Sequence, residues 1–527
     1  MSFTLSNKET TLVLIILKVV FFILKNTHKI AFRGEYIFNN KERRHLMSNI
    51  KKEWLGNIKG DLIAGIVVCM ALIPEAIGFS IVAGVDPMIG VYASFTLSLV
   101  TSIFGGRPGL ISAAAGSTAL VLAGLVRSYG IEYMFAATIL AGIIQAILGY
   151  FKFGNLMRFI PKPVMTGFVN ALGILMFKSQ LKHFEGGVIL LILGALGIFI
   201  IYMLPRITKV IPAPIVSIIT ITIIVKVFNI DIKTLGDMGK ITTDLPKLLI
   251  PSVPFNTETL IIILPYAVSV ALVGIMESLL TSQLVDEMTD TPSNKNRECV
   301  GQGLGNIVTG FFGGIAGCGM IGQTIININY GGRGRLSTLT AGTAMLFAII
   351  ILNKFVIDMP VVALASVMVV VAISTFNWGS LRRLSIVPFA DTVVMIATVV
   401  IVLLTNNLAY GVVVGIIISS IAFVAKISDI KVEREEVEGN VVYRVKGQLF
   451  FVSTTKFINS FKYNDKVDSV CVDFSEARVW DESAVDAIDK VVVRYSKRKV
   501  KVKFKGLNKA SAVLVERLST YDRVKLV

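Results

Sequence analysis

The sequence predicts a polytopic α-helical membrane protein of fourteen spans that ends in a small cytoplasmic α/β domain. Three observations carry this expectation. Of 527 residues, 54% are hydrophobic and 17% are charged, against about 25% charged in an ordinary soluble domain. Between Asp61 and Lys426 the chain is a series of apolar runs separated by short polar or Gly/Pro breaks. After Lys426 the apolar runs stop and short strand-like and helix-like patterns begin. This composition excludes a disordered chain, a collagen-like repeat and a typical cytosolic enzyme. The net charge is +17. In a membrane protein such an excess belongs to cytoplasmic loops rather than to a nucleic-acid surface. Cys69, Cys299, Cys318 and Cys471 are scattered without metal-ligand spacing, and there are three histidines. Neither a disulfide framework, a metal site, His-based catalysis nor a cofactor is therefore expected.

Residues 1–52 form an amino-terminal extension. Its apolar run, residues 11–25, carries Lys18 and is shorter than the roughly 20 residues that span a bilayer. A basic stretch from Lys41 to Arg44 follows, without the small residues of a cleavage site, so a signal peptide fits poorly. Two readings remain: an amphipathic interfacial helix, or an upstream start ahead of a natural one at Met47.

The predicted spans lie near 61–81, 86–104, 111–127, 132–151, 164–181, 187–204, 211–228, 259–285, 299–313, 319–329, 337–353, 359–376, 389–405 and 408–426. With the amino terminus in the cytoplasm, the inner loops hold Arg107; Lys152, Arg158 and Lys162; Arg206 and Lys209; Arg333 and Arg335; and Arg382 and Arg383. The long opposite loop, 229–258, balances Lys233, Lys240 and Lys247 against Asp231, Asp237, Asp244 and Glu258. This asymmetry places both termini in the cytoplasm and requires an even number of spans.

Two segments are too short and too Gly-rich for ordinary spans. FGGRPGLISAAAGSTALV starts at Phe104 and FGGIAGCGMIGQTIININ at Phe312. Upstream of each lies an intramembrane acid, Glu75 in ALIPEAIGFS and Glu277 in VGIMESLLTS. The matched offsets indicate two structural repeats, and interrupted segments in corresponding halves point to a transporter's midplane site. A half-helix that starts inside the membrane exposes free N–H groups at its positive end. Two such ends facing each other make an anion cradle without Arg or Lys, to which Ser112, Ser117, Thr118, Gln323 and Thr324 add hydrogen-bonding side chains. Small residues also mark helix packing; the matched pair favours the site.

A carboxyl in a span is costly in its charged form and marks function. Glu277 lies among Ser278, Thr281 and Ser282, a setting for a proton or, with Thr281, a sodium ion. The alternative is a protonated acid bonded to a neighbouring helix. Glu75 follows Pro74, which kinks a span and frees a carbonyl, so it gates or shapes the site or caps the broken helix. Asp61 and Asp391 are read as interfacial.

In the tail, Lys431–Glu438 is a charged segment and Gly439-Asn440 a turn. VVYRVKG and QLFFVS read as two short strands around Gly447, 468–474 as a buried strand and 499–504 as an alternating one. Residues 454–462, 483–495 and 510–519 read as helices. The predicted domains are 1–52, a transmembrane region 53–430 and the α/β tail 431–527.

PEAIGFS, FGGRPG with SAAAGS, GIMESLLTSQLVDEMT, GQGLGNIVTGFFGG and NYGGRGRLS resemble the sulfate permease (SulP) family of anion transporters. The tail, with DFSEARVWDESAVDAIDKV, resembles the STAS domain that those transporters carry. The resemblance spans residues 50–527. It implies a uracil-permease-like fold of seven plus seven inverted helices. A core domain (spans 1–4 and 8–11) moves against a gate domain (spans 5–7 and 12–14), with substrate between the third and tenth half-helices. The substrate residues it implies are Glu75, Phe79, Ala115, Gly116, Ser117, Gly319, Met320, Ile321, Gly322 and Gln323. Sodium-coupled bicarbonate members hold the ion with an Asp and a Thr on span eight and a Gly-Ala-Thr stretch on span ten. The matching positions are Glu277, Thr281 and Gly319-Met320-Ile321, so the Asp has become Glu and the span-ten threonine is lost. This moves the expectation from sodium to protons. The position of Gln323 is often Arg in animal relatives, and its loss leaves the identity of the anion open. The phosphorylated Asp-Ser-Ser-Gly loop of sigma-regulating relatives is Asp481-Glu482-Ser483-Ala484 here, which leaves Ser483 as a weak candidate and favours a structural or assembly role for the tail.

The expected function is secondary active transport of an inorganic anion, sulfate, coupled to protons, by elevator-like movement of the core in the inner membrane. The family implies a homodimer. Bicarbonate or a small dicarboxylate is the rival substrate, and a nucleobase permease of the same fold lacks the STAS tail. From another class, a membrane-tethered regulator would use the tail to bind a cytoplasmic partner. An enzyme is not expected, since no nucleophile–base pair or nucleotide-binding loop stands out.

Overall fold

The computed structural model describes residues 51–519, apart from 156–159, 209–211, 240, 242, 438–439 and 465–466. The apolar run at 11–25 and the basic loop residues Arg158, Lys209 and Lys240 lie outside the described residues. Each of the fourteen predicted spans contains a helix. The first half holds α1 (Ile58–Ala83), α2 (Pro87–Phe104), strand β1 (Ser112–Ala114), α3 (Gly116–Tyr129), α4 (Ile131–Tyr150), α5 (Lys162–Leu181), α6 (Val188–Ile207) and α7 (Ala213–Val227). The second half repeats the order: α8 (Thr257–Thr289), α9 (Lys295–Phe311), β2 (Gly317–Gly319), α10 (Ile321–Asn329), α11 (Arg335–Ile351), α12 (Val361–Thr375), α13 (Phe389–Thr405) and α14 (Leu408–Ile427). Eight described helices are long and apolar enough to cross a membrane, and α7, α11 and α13 are shorter apolar helices. Much of α6 and α14 is left uncovered, as a helix surface facing lipid tails is.

The helices sort into two bodies. In one, α9 packs on α4 and α2, α11 on α1 and α2, and α8 on α4 and α3. In the other, α5 packs on α12, α13 and α14, and α6 on α7 and α12. Between the bodies the contacts are sparse, mainly α12 with α1, α8 with α14 and α3 with α5. This is the core-and-gate division. The small residues of α9 explain its close packing: a Cβ on Gly303 would meet the Gly142 carbonyl oxygen at 2.6 Å, so only glycine allows the backbones this near.

Two of the arginines counted in the loops are also structural. Arg107 is 8% exposed, pairs with Asp286 at 3.1 Å and donates to the Thr291 carbonyl at 2.8 Å. Arg335 is 3% exposed and pairs with Glu53 at 2.7 Å. Asp61, read as interfacial, lies in the first turn of α1, is fully buried within the protein and accepts the N–H groups of Arg333 at 2.8 Å and Gly334 at 3.0 Å. A loop that needs its donors satisfied away from water recruits a carboxylate. Glu298, also buried, does the same for Gly106 and Arg107 at 2.7 and 2.9 Å.

The tail is a four-stranded sheet in the order β3 (Lys431–Val437), β4 (Asn440–Leu449), β5 (Ser469–Val479), β6 (Lys501–Lys505). β3–β4 is antiparallel; β4–β5 and β5–β6 are parallel. Helices α15 (Thr454–Asn459), α16 (Glu482–Ser496) and α17 (Lys509–Leu518) complete it. Tyr443, Phe457, Phe474, Tyr495 and Phe504 fill its own apolar core. One expectation gains an element here and one is corrected. The charged segment after Lys431 is an edge strand, whose cross-strand pairs Lys446–Glu433 and Arg444–Glu435 lie at 2.9 and 3.1 Å; alternating opposite charges suit a solvated edge. The two short strands around Gly447 are one strand, because Gly447 takes φ +112° and passes through the bend that other residues resist.

Candidate functional site

The two Gly-rich segments cross near the centre of the core. β1 and β2 pair antiparallel, with Ser112 opposite Gly319, Ala113 opposite Cys318 and Ala114 opposite Gly317. Three residues each is all the strand there is, and side chains on neighbouring helices hold it. Asn306 brackets Gly317, donating to its carbonyl at 3.0 Å and accepting its N–H at 2.9 Å. Gln302 donates to Ser112 Oγ at 2.6 Å, and Ser98 to the Ser112 carbonyl at 2.8 Å. A Cβ on Gly317 would stand 2.0 Å from the Ala113 carbonyl oxygen, so the crossing requires glycine.

Each strand turns directly into a helix start. The N-cap residues, Ala115 for α3 and Met320 for α10, make no side-chain cap. The first intrahelical bonds are Ala119 N to Ala115 O at 3.0 Å and Thr324 N to Met320 O at 3.1 Å. The N–H groups of Gly116, Ser117 and Thr118, and those of Ile321, Gly322 and Gln323, therefore precede the helical ladder. Two positive helix ends meet at the crossing. Around Gly322 there is space: a Cβ there would meet nothing within 4 Å.

The predicted side chains fall into two linked groups. In the first, Glu277 from α8 is buried, and its Oε2 accepts from Ser117 Oγ at 2.5 Å and from Cys318 Sγ at 3.2 Å. Thr281 Oγ1 donates to the Glu277 carbonyl at 2.8 Å and the Gly319 carbonyl at 3.0 Å. Ser278 Oγ accepts from Gly319 N at 2.8 Å. In the second, Glu75 from α1 accepts a hydrogen bond from the Gln323 amide of α10. The Phe79 ring lies against Gly116, where a Cβ would meet its edge at 2.8 Å and Met176 of the gate helix α5 at 3.1 Å. Helix α1 runs unbroken through Pro74. Thr118 and Thr324 are turned to backbone work: Thr118 donates to the Ala316 carbonyl at 2.6 Å, and Thr324 accepts from Ile111 N at 3.0 Å, while Ser112 Oγ is taken up by Gln302. Ile321 and Gly322 head α10, and Met320 is buried.

Cys318, Asn306, Gln302 and Gln145, whose Oε1 accepts from Asn306 at 2.8 Å, are contributors that sequence reasoning missed. Gln302 and Asn306 carried a signal: two polar residues four apart in a Gly-rich span, and so on one helix face. Cys318 carried none, because a lone cysteine between glycines looks like any small packing residue.

Comparison with known proteins matches this arrangement. The profile of the sulfate permease family matches residues 58–189 and 186–398, and that of the STAS domain matches residues 431–527. The chain belongs to the sulfate permease family. It is 52% identical over 474 residues, 89% of this chain and 99% of the relative, to YbaR of Bacillus subtilis (strain 168), which is named provisionally as a sulfate transporter. It is 28% identical over 413 residues, 72% of each chain, to the bicarbonate transporter BicA of Picosynechococcus sp.. Among solved structures, the transmembrane domain of a cyanobacterial BicA superposes with a TM-score of 0.61 at 28% identity, covering 69% of this chain and 97% of that one. Murine Slc26a9 superposes at 0.77 over 93% of both chains with 15% identity, a likeness of fold.

Proposed function

We propose that this protein is a secondary active transporter of an inorganic anion, sulfate, driven by protons. The observation that supports this reading most is the meeting of two uncapped half-helix ends, at Gly116 and Ile321, beside the buried acid Glu277. Main-chain N–H groups and helix dipoles suit a small oxyanion. They bind it with no side-chain cation whose charge would have to be desolvated. Glu277 is met by two neutral donors, Ser117 and Cys318, and among the described residues forms no ion pair. A carboxyl without a counter-charge crosses a bilayer most cheaply carrying a proton. The acid on this span is Glu277 where sodium-coupled relatives hold an Asp, and the span-ten threonine is absent at Gly319-Met320-Ile321, which favours the proton over sodium.

In this reading Glu75, Phe79, Ala115–Ser117 and Gly319–Gln323 form the substrate site, and Glu277 with Thr281 couples it. The core carries the whole site past the gate in an elevator-like step, and the sparse core–gate contacts suit such sliding. The domain limits 1–52, 53–430 and 431–527, the homodimer and an inner membrane with both termini cytoplasmic belong to the same proposal, as does a cytoplasmic partner for the STAS domain.

Labelled sulfate uptake into proteoliposomes, with and without an inward proton gradient, tests it. Gradient-stimulated uptake that unlabelled sulfate competes away is the expected result. Bicarbonate is the second reading, favoured by the likeness to proteins named bicarbonate transporters. Uptake displaced by bicarbonate and untouched by sulfate would move the assignment there. Fumarate as competitor tests for a dicarboxylate.

A further inference from the structure

A cavity of about 850 Å³ opens between the two bodies at the end of the bundle remote from the STAS domain. Its place follows from α14. That helix enters the tail at its carboxyl end, whereas the cavity is lined at the helix's start by Asn407 and Tyr410, about 25–30 Å away along the axis. The core contributes Leu120 and Arg127 from α3, and the gate contributes Lys178 and Lys182 around the end of α5. Leu120 stands one helical turn beyond Gly116, so the floor of the cavity is about 6 Å along α3 from the half-helix start.

The charge of this lining is one-sided. Arg127, Lys178 and Lys182 line it, and no Asp or Glu is among its lining residues. Among the described residues, none of the three is in an ion pair. Cations that share a low-dielectric cleft without counter-charges focus their field on the space between them. None of these three residues takes part in the hydrogen-bonded cluster around Glu277 or Glu75.

We propose that this vestibule is an electrostatic selector that concentrates anions at the mouth of the transport site and favours dianions over monoanions. The proposal rests on the anion-transport reading and adds the substrate class. At low salt, three cations about 10 Å from an entering ion raise its local concentration about tenfold per unit of ion charge. A dianion such as sulfate gains roughly the square of that factor, and bicarbonate gains it once. The helix ends at the crossing offer N–H groups to either ion; the vestibule supplies the discrimination by valence.

The test needs no transport. Gly124 lies on the vestibule wall, and a Cβ there would meet Tyr266 at an ordinary 3.6 Å. The full-length chain carrying Gly124→Cys in a Cys471→Ser background presents one accessible thiol, since Cys69, Cys299 and Cys318 are buried. In proteoliposomes at low salt, a sulfonate-bearing methanethiosulfonate is expected to modify it about a hundredfold faster than the trimethylammonium analogue, each rate taken relative to a free thiol, because the two differ by two unit charges. The ratio should fall to about unity when Arg127→Gln, Lys178→Gln and Lys182→Gln are combined, and in 1 M salt, where the screening length is about 3 Å. Leu120→Cys serves as a second probe position if Gly124→Cys does not fold. Equal rates with the native lining at both positions would overturn the proposal. In transport at low salt, the triple variant should raise the KM for sulfate about a hundredfold and that for bicarbonate about tenfold, and leave the maximal rate within about twofold; equal rises would overturn the valence selection. A rate ratio of about a hundred in a protein that takes up no anion would sink the transport reading and leave the vestibule standing. A ratio of one in an active transporter would do the reverse.

Discussion

Ser117 and Glu277 stand 160 residues apart in the chain, and the serine hydroxyl donates to the glutamate carboxyl at 2.5 Å. One residue sits in the first turn of a half-helix from the first repeat; the other lies in the middle of α8 from the second. The bond ties the acid to the helix end that would hold an anion, so a change in either is felt by the other.

Glu277→Gln keeps the size and the ability to bond Ser117 but cannot gain or lose a proton. Uptake driven by a proton gradient should fall at least about tenfold, because the side chain no longer carries a proton, while anion exchange without a gradient persists. Paired flux assays in proteoliposomes separate the two. A gradient-driven flux equal to that of the parent protein would remove Glu277 from the coupling.

Gly317 and Gly322 should respond in opposite ways to alanine. At Gly317 the new methyl meets the Ala113 carbonyl at 2.0 Å. The β1–β2 crossing must open, at a cost of about 1–3 kcal/mol or more. Gly322→Ala meets no atom within 4 Å and should fold normally but hinder an anion's approach to the α10 end, raising KM. Thermal unfolding followed by size-exclusion, set against uptake kinetics, distinguishes a folding defect from a binding one.

Gln323 is the partner of Glu75 across α1 and α10. Gln323→Ala leaves a buried carboxyl without that donor and should cost about 1–3 kcal/mol of stability. Gln323→Glu sets two carboxyls against each other beside the anion cradle and should abolish uptake at neutral pH, with partial recovery on acidification as one of the pair takes a proton. A flat pH profile for Gln323→Glu would show that the pair lies outside the anion's path.

The STAS domain should lose stability in acid through Asp473. Burial pushes its carboxyl up, but the Ser475 hydroxyl at 2.6 Å, the Ser475 N–H at 2.9 Å and Lys505 at 3.2 Å outweigh burial and hold it below the usual aspartate range. A folded value below the unfolded one contributes stability above about pH 4, which is lost as pH falls through the folded value. Asp473→Asn removes this dependence. Acid titration of the full chain, read through Trp480 on the neighbouring loop, should show a shallower loss for the variant as pH falls below about 4.

What could be read from the sequence was whatever leaves a local or periodic trace. Fourteen helix-bearing segments, the two Gly-rich breaks and the change of composition after Lys426 follow from hydropathy and backbone chemistry that each segment carries alone. Glu75 and Glu277 were legible because a carboxyl in an apolar run is costly wherever that run folds. The charged strand β3 was not, because lysine and glutamate alternation suits a solvated edge as well as a linker. The role of Asp61 was not legible, because it depends on Arg333 and Gly334, which approach it only in the folded core.

The sequence by itself therefore determined the class of fold, the two repeats and the residues able to bear charge inside them. The tertiary structure alone decided how those residues combine. It paired β1 with β2, brought Cys318 and Ser117 to one carboxyl oxygen of Glu277, and divided the helices into core and gate. It also gathered Arg127, Lys178 and Lys182 around one cleft. The physical reason is separation along the chain. Hydrogen bonds and fields act over a few ångströms in space, and partners 41 and 160 residues from Glu277 leave no periodic signal until packing brings them together.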